Sequence, residues 1–321
     1  MYDYSMKKLV YQMFILGLDN IVEPLQKGLG GVIFFTKDIT SEKDLASKIN
    51  EIKSKSLIPP FISIDQEGGR VERTENIKSK RLSARYAYQK GLIFLRQQSN
   101  EISSELRNWG FNLNFAPCVD VNTNPDNPII GERAFSNKPD EVIEGAKIFI
   151  EACRQNMIIP CVKHFPGHGD ADKDSHLTLP KIDLPFQEMI NTHIKPFKWA
   201  VENGIEMIMI AHLHCSCFDE EILPSSLSKN TIEYLRNDLN YDGVLISDDM
   251  VMKGVQDFGS LEAVIMGIKA GLDMFIFRNS DNETLNMIEK LCDMAEKNEE
   301  LKNRIVESNR RIELLKKKYM G

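Results

Sequence analysis

Seven short apolar runs, each followed by a polar loop and then a stretch of helical length, constrain this chain of 321 residues more than any other feature. They are Gly31 to Phe35 (GVIFF), Phe61 to Ile64 (FISI), Asn112 to Ala116 (NLNFA), Ile158 to Val162 (IIPCV), Met207 to Ala211 (MIMIA), Val244 to Ile246 (VLI) and Met274 to Phe277 (MFIF). Runs without strict alternation suit strands buried on both faces of a parallel sheet. The segments between them, such as SEKDLASKINEIKSKS and DEVIEGAKIFIEACRQ, are amphipathic and of helical length, so the alternation predicts an α/β fold. An eighth strand fits within Val10 to Leu18. Eight would close a (β/α)8 TIM barrel, irregular at its N-terminal strand, for which the length is ordinary. The alternative is an open doubly wound sheet, but no GxGxxG follows the first strand. No repeat, low-complexity linker or composition break marks a boundary, and residues 1–321 are expected to form a single domain. The charged tail from Lys297 to Lys318 reads as a solvated terminal helix.

Charge and apolar runs narrow the function classes. The net charge of -7 and pI near 5.5 are spread along the chain, and no dense basic patch stands out apart from the terminal LLKKKY, so nucleic acid is not expected as a partner. The apolar segment Val10 to Leu18 is flanked by aspartates and followed by no small-residue cleavage site. No later run approaches the roughly 20 apolar residues that a membrane span needs. The expectation is a soluble, cytoplasmic protein with no membrane partner. Six cysteines in so long a chain do not form a disulfide framework and read as reduced, buried small hydrophobes. The sequence HLHCSC, His212 to Cys217, places two histidines and two cysteines together, but ligand partners at defined spacing are missing. A strand end lining a pocket is the plainer reading, and neither metal nor other cofactor is expected.

The chemistry-bearing residues sit just after the predicted strands. FISI is followed by DQEGGRVER, with Asp65, Glu67, Arg70 and Arg73 around the Gly68, Gly69 pair; NLNFA leads to Asp120 and then GERAF, with Glu132 and Arg133. MIMIA leads to His212 and His214, and VLIS to Asp248 and Asp249. The densest stretch is KHFPGHGDADKDSHLTLP, Lys163 to Pro180, with three of the six histidines and three aspartates in eighteen residues. In a parallel barrel all these ends lie on one face, where active sites of this fold are built. A lone aspartate at a strand end often only caps the next helix, which is an even alternative for Asp249. Arg70 alone can brace a glycine turn, and His212 and His214 can be satisfied pocket histidines. Against such separate readings stands convergence, because five of the six histidines follow just two predicted strands.

Hydrolysis of a glycosidic bond with retention needs a proton donor for the leaving oxygen and a carboxylate nucleophile on the opposite face. Asp248, at the end of a buried strand, suits the nucleophile. His176, with Asp174 two residues away to orient it and stabilise its protonated form, suits the acid and then the base. Asp65, Arg73, Arg133, Lys163 and His164 suit directed and charge-assisted hydrogen bonds to a sugar.

In that order, IDQEGGRVER, NFAPCVDV, GERAFS, KHFPGHGDADKDSH and ISDDM resemble the signature series of family 3 glycoside hydrolases, specifically the single-domain β-N-acetylglucosaminidases of peptidoglycan recycling (the NagZ group). The likeness covers Gly30 to Leu272, and the KHFPGHG to DSH stretch is its most specific part. It implies a TIM barrel, retention and no metal, with Asp248 as nucleophile and Asp174 with His176 as acid/base dyad. It also implies that Asp120 joins Asp65, Arg73, Arg133, Lys163 and His164 in the sugar subsite. The implied substrate is a small carbohydrate with a terminal, non-reducing β-linked N-acetylglucosamine, as in muropeptides. One departure is PSSLS at Pro224 to Ser228, where relatives commonly read PATLS. Some enzymes with the histidine dyad are similar to phosphorylases, so a β-N-acetylglucosaminide phosphorylase is the alternative. A more distant one is a metal-dependent barrel hydrolase using His212, His214 and Asp248.

Overall fold

A computed structural model of the chain describes residues 5–171 and 179–320, so Asp174 and His176 lie outside the described residues. In chain order the strands are β1 (Phe14–Leu16), β2 (Gly31–Phe34), β3 (Phe61–Ile64), β4 (Gln66–Gly68), β5 (Val71–Glu72), β6 (Leu113–Asn114), β7 (Ile159–Phe165), β8 (Lys181–Ile182), β9 (Met207–Ile210), β10 (His214–Cys215), β11 (Val244–Asp249) and β12 (Met274–Phe277). Eight of them close a barrel in the order β1, β12, β11, β9, β7, β6, β3, β2, and every adjacent pair is parallel. The predicted (β/α)8 barrel is therefore the fold. Its eighth strand lies within Val10 to Leu18, where Ile15 registers against Ile276 on one side and Gly31 on the other.

All residues of β1, β2, β3, β7, β9 and β12 are buried, which is why their sequences run apolar without alternating. Helices cover the outside by burying one stripe each. In Glu42–Lys55 the stripe is Leu45, Ile49 and Ile52, and the Ser41 hydroxyl accepts the N–H of Asp44 at 3.1 Å. Acidic residues open that helix and lysines close it, in accord with its dipole.

Three sequence expectations need correction. Strand β6 spans only Leu113 and Asn114 of NLNFA, although the Asn112 and Phe115 N–H groups still donate to the Ile62 (3.1 Å) and Ile64 (2.9 Å) carbonyls, and the Asn112 and Asn114 side chains accept the N–H groups of Ile62 (2.8 Å) and Gln66 (2.9 Å) besides. Strands β7 and β11 run three residues further than their apolar cores, so Lys163, His164, Asp248 and Asp249 sit on strands and not in loops. The charged tail is not merely solvated: helix Glu299–Met320 buries Leu301, Ile305, Ile312, Leu315 and Tyr319, a stripe at spacings of three and four within a charged sequence. No helix among the described residues is long and apolar enough to cross a membrane.

That last helix also brings charge to the N-terminal end of the barrel. Asp273, just before β12, is fully buried and accepts from Arg236 (2.5 Å), Arg304 (3.1 Å), Arg311 (3.4 Å), Ser308 (2.9 Å) and the Leu245 N–H (2.9 Å). Glu206, just before β9, pairs with Arg154 (3.0 Å) and Lys318 (2.8 Å) and accepts the Tyr319 hydroxyl (2.7 Å). Lys316 donates to Gln12 Oε1 at 2.8 Å and lies 4.9 Å from the centre of the Phe61 ring.

Candidate active site

The opposite end of the barrel holds a cavity of about 510 Å³. Of the predicted site residues, it gathers Asp65 from the end of β3, Arg73 from beyond β5, Arg133, Lys163 and His164 from β7, and Asp248 from β11. Arg70, His168, Asp249 and Arg278 complete the polar lining, with Phe35, Met209 and Met252 among the apolar walls. The volume is in the range of small-ligand pockets, and its mixed lining suits a sugar, with an apolar face and hydroxyls at its edge.

Glu67 ties the positive groups down from behind. Its Oε1 lies 2.6 Å from Lys163 Nζ and 2.8 Å from Arg133 Nη2, and its Oε2 accepts Arg133 Nε at 2.9 Å. Lys163 reaches Asp65 Oδ1 at 2.7 Å as well. Burial alone would raise the Glu67 carboxyl; the Arg133 and Lys163 charges outweigh it and hold the group well below the usual carboxylate range. Burial likewise opposes the Lys163 ammonium, and Asp65 and Glu67 reverse that, raising its pKa. The tight turn that delivers Glu67 needs its glycines. Gly68 has φ +98°, and a Cβ there would lie 2.5 Å from the Leu82 carbonyl oxygen. Beyond the turn, Gln66 Oε1 accepts the Arg73 N–H at 2.9 Å and sets that residue's backbone.

Asp120 plays the same part for the histidines. It is fully buried and does not reach the cavity wall, where the resemblance would place it; its carboxylate lies 2.7 Å from His164 Nδ1 and accepts the His168 N–H at 2.6 Å. Burial works against the charge, and the His164 and His168 sides of the pocket more than offset it, lowering the pKa. His164 Nε2 then stands 3.3 Å from Arg133 Nη2. His168 has neither ring nitrogen partnered among the described residues, and burial pulls its pKa down to about 4, so the ring is neutral at pH 7.

Asp248 differs from these acids. Its Oδ1 accepts the Asp249 N–H at 2.7 Å, and among the described residues no cation lies within ion-pair distance of its carboxylate. Burial would raise this carboxyl, but His164, His212, the Asp249 N–H and Lys163 together lower it. The group is thus an anion that faces the cavity without a direct counter-ion. Asp249 is committed elsewhere: it pairs with Arg278 at 2.5 Å and accepts the N–H groups of Val251 and Arg278, each at 3.1 Å.

Glu67 and His168 were present in the motifs DQEGGR and KHFPGHG but are marked there by no separate signal, since each acts through residues distant in sequence. His212 and His214 do not join Asp248 in a ligand set. His212 Nδ1 lies 2.7 Å from Ser226 Oγ, so the serine of PSSLS buttresses a histidine that acts electrostatically on Asp248, while His214 Nδ1 faces the Leu223 backbone at 3.3 Å. Among the described residues, the one trio offering ligand atoms within 4.8 Å of each other is Cys118, Asp120 and His164. Hydrogen bonds within that trio, 3.2 Å from Cys118 Sγ and 2.7 Å from His164 Nδ1 to Asp120, already satisfy it.

Comparison with known proteins gives the family of the chain. The family model described as the glycosyl hydrolase family 3 N terminal domain matches residues 18–315. The chain is 34% identical over 270 residues to beta-hexosaminidase A of Pseudoalteromonas piscicida, covering 77% of this chain but only 45% of that relative. It is 32% identical over 308 residues to a beta-hexosaminidase of Actinobacillus pleuropneumoniae serotype 5b, covering 92% of this chain and 86% of the relative. A family 3 β-N-acetylglucosaminidase structure from a Paenibacillus species superposes with a TM-score of 0.92 at 30% identity, across 98% of this chain and 62% of that one. The chain belongs to glycosyl hydrolase family 3.

Proposed function

We propose that the protein is a retaining exo-β-N-acetylhexosaminidase that removes a terminal β-linked N-acetylglucosamine from small fragments such as muropeptides. The observation that carries this reading is Asp248: an ionised carboxylate on the cavity wall, held by one backbone N–H and left open toward the space where a sugar would sit. Such a group attacks the anomeric carbon, and the covalent glycosyl-enzyme is then hydrolysed. His176, oriented by Asp174, donates the proton to the leaving oxygen and afterwards takes one from water; both roles rest on the motif. Lys163, Arg133, His164 and Asp65 grip the sugar hydroxyls and acyl group, while Glu67 and Asp120 hold those four in place. The names of the relatives support the sugar class. The cations at the mouth support an acidic aglycone. Arg70 donates to the Pro128 carbonyl at 3.0 Å, and among the described residues Arg73 keeps a buried Nε without a partner, its Nη2 lying 4.0 Å from Asp65 Oδ2. A lactyl or peptide carboxylate suits both.

The test is product analysis on a disaccharide muropeptide and on a chromogenic N-acetylglucosaminide, in water and in phosphate, by NMR at early times. The expected first product is the β-anomer of free N-acetylglucosamine, with a rate unchanged by phosphate. Initial α-anomer overturns retention, and a sugar 1-phosphate makes the protein a phosphorylase.

A further inference from the structure

The strap formed by β8 and β10 carries a feature unrelated to sugar binding. His214 donates its N–H to the Pro180 carbonyl at 2.9 Å and Ser216 donates to Ile182 at 3.1 Å, so this short sheet follows directly on the segment containing Asp174 and His176. The chain then turns sharply, with Phe218 N–H bonded to the Cys215 carbonyl at 3.1 Å. The turn brings the two thiols of Cys215-Ser216-Cys217 together, Sγ to Sγ 3.4 Å. Five of the six cysteines are buried, and Cys217 is the one that is partly exposed.

We propose that Cys215 and Cys217 are a reversible redox pair, whose oxidation to a disulfide distorts the strap and slows the enzyme. Reactive cysteines combine access with thiolate character and sit beside a resolving thiol. Cys217 has the access and the neighbouring thiol, and its pKa is shifted toward the thiolate. The hydrogen bond between the two sulfurs lowers the pKa of Cys217, and the same contact, followed by burial, raises that of Cys215, so of the two Cys217 is the readier to ionise. Burial pushes the thiols of Cys153 and Cys292 up to about 12, and Cys118 and Cys161 are raised as well. With a hydroperoxide, the Cys217 thiolate attacks the outer oxygen to give a sulfenic acid and expel an alkoxide, or hydroxide from hydrogen peroxide, which takes a proton from solvent. Cys215 then displaces hydroxide, which leaves as water with the thiol proton. Two electrons pass from sulfur to peroxide and one S–S bond forms; an external dithiol reverses the step. Closing 3.4 Å to the roughly 2.05 Å of a disulfide draws the two sulfurs more than an ångström together and pulls on the turn that carries them, where Cys215 sits in register with Ile182. A shift of that size next to a catalytic segment can cost up to ~10²-fold in rate.

The experiment treats the intact protein with hydrogen peroxide, blocks the remaining thiols with a maleimide, and reads peptide masses alongside kcat on a chromogenic glycoside. The expected result is a Cys215 to Cys217 linkage, lighter by two hydrogens, formed before the other four cysteines react. With it kcat falls at least several-fold and recovers with dithiothreitol, whereas Cys217→Ser keeps the untreated kcat and no longer responds. Cys215→Ser should accumulate oxidised Cys217 with no linkage. The proposal is overturned if Cys217 reacts no faster than the buried cysteines, if the disulfide leaves kcat unchanged, or if Cys217→Ser is inactivated equally. The thiol readout does not depend on the proposed sugar substrate, so absence of glycosidase activity would strike that reading and leave the linkage to be judged by mass alone.

Discussion

The barrel buries carboxylates at both ends, in opposite styles. At the N-terminal end Asp273 meets three arginines, a hydroxyl and a backbone N–H, and Glu206 meets an arginine, a lysine and a tyrosine hydroxyl. Each is saturated by donors from elements far apart in sequence, including the last helix. At the C-terminal end Glu67 and Asp120 are saturated in the same way, but they stand behind the wall; of the three carboxylates that line the cavity, Asp65 and Asp249 are paired with cations, and Asp248 has no ion-pair partner among the described residues. A buried acid surrounded by cations holds structure together; one left open toward a cavity has bonding capacity to spend on a ligand. Removing a saturated acid strands several cations, which is costly, whereas removing the open one strands little.

The comparison yields its largest expected effect in Asp248→Ala. Loss of the proposed nucleophile should lower kcat by ~10⁴-fold or more on any glycoside, with Tm unchanged or raised. A Tm loss with activity retained would put Asp248 in the structural class. Next comes Asp273→Asn, which leaves three arginines around a neutral amide. Unfolding by denaturant should show a loss of about 3–5 kcal/mol, with kcat of the folded fraction within about two-fold of wild type. An inactive but equally stable variant would break the distinction between the ends. The smallest effect belongs to Lys316, a buried cation at the N-terminal end with an amide and an aromatic ring beside it. Burial depresses its pKa from 10.5 to about 7. Between those values the unfolded chain holds the extra proton, so this group makes stability rise with pH, and its penalty is fully present below pH 7. Lys316→Met should raise Tm by roughly 2–4 °C at pH 7 and progressively less toward pH 10, flattening the profile. A gain of the same size at both pH values would show that the lysine is not titrating there.

The barrel was legible because parallel strands buried on both faces must be apolar throughout, and MIMIA or MFIF admits few other uses. Its edges were less so: Asn112 and Asn114 add side-chain bonds to the backbone beyond β3 and within it that no periodicity reveals. The tail was misread because lysines and glutamates outnumber its apolar stripe, although Leu301, Ile305, Ile312 and Leu315 keep helical spacing. In the site, Asp65, Arg73, Arg133, Lys163, His164 and Asp248 could be gathered on one face because each comes after an apolar run that forms a strand, although Lys163, His164 and Asp248 prove to lie on the strands themselves. The division between residues that touch the cavity and those that stand behind it was not legible. Asp120 and Glu67 are acids after strands like the others, and only three-dimensional packing turns their oxygens away from the opening. Long-range partners such as Gln12 and Lys316, 304 positions apart, leave no local trace.

Glu67 also sets the thermodynamic character of the site. Because one carboxylate clamps Lys163 and Arg133 before any ligand arrives, the dipoles a sugar meets are already pointing where they will be needed. Solvent would have to be reoriented around a growing charge, and this polar frame does not. For the proposed reaction, the three charges buried together would then add little reorganisation to the barrier.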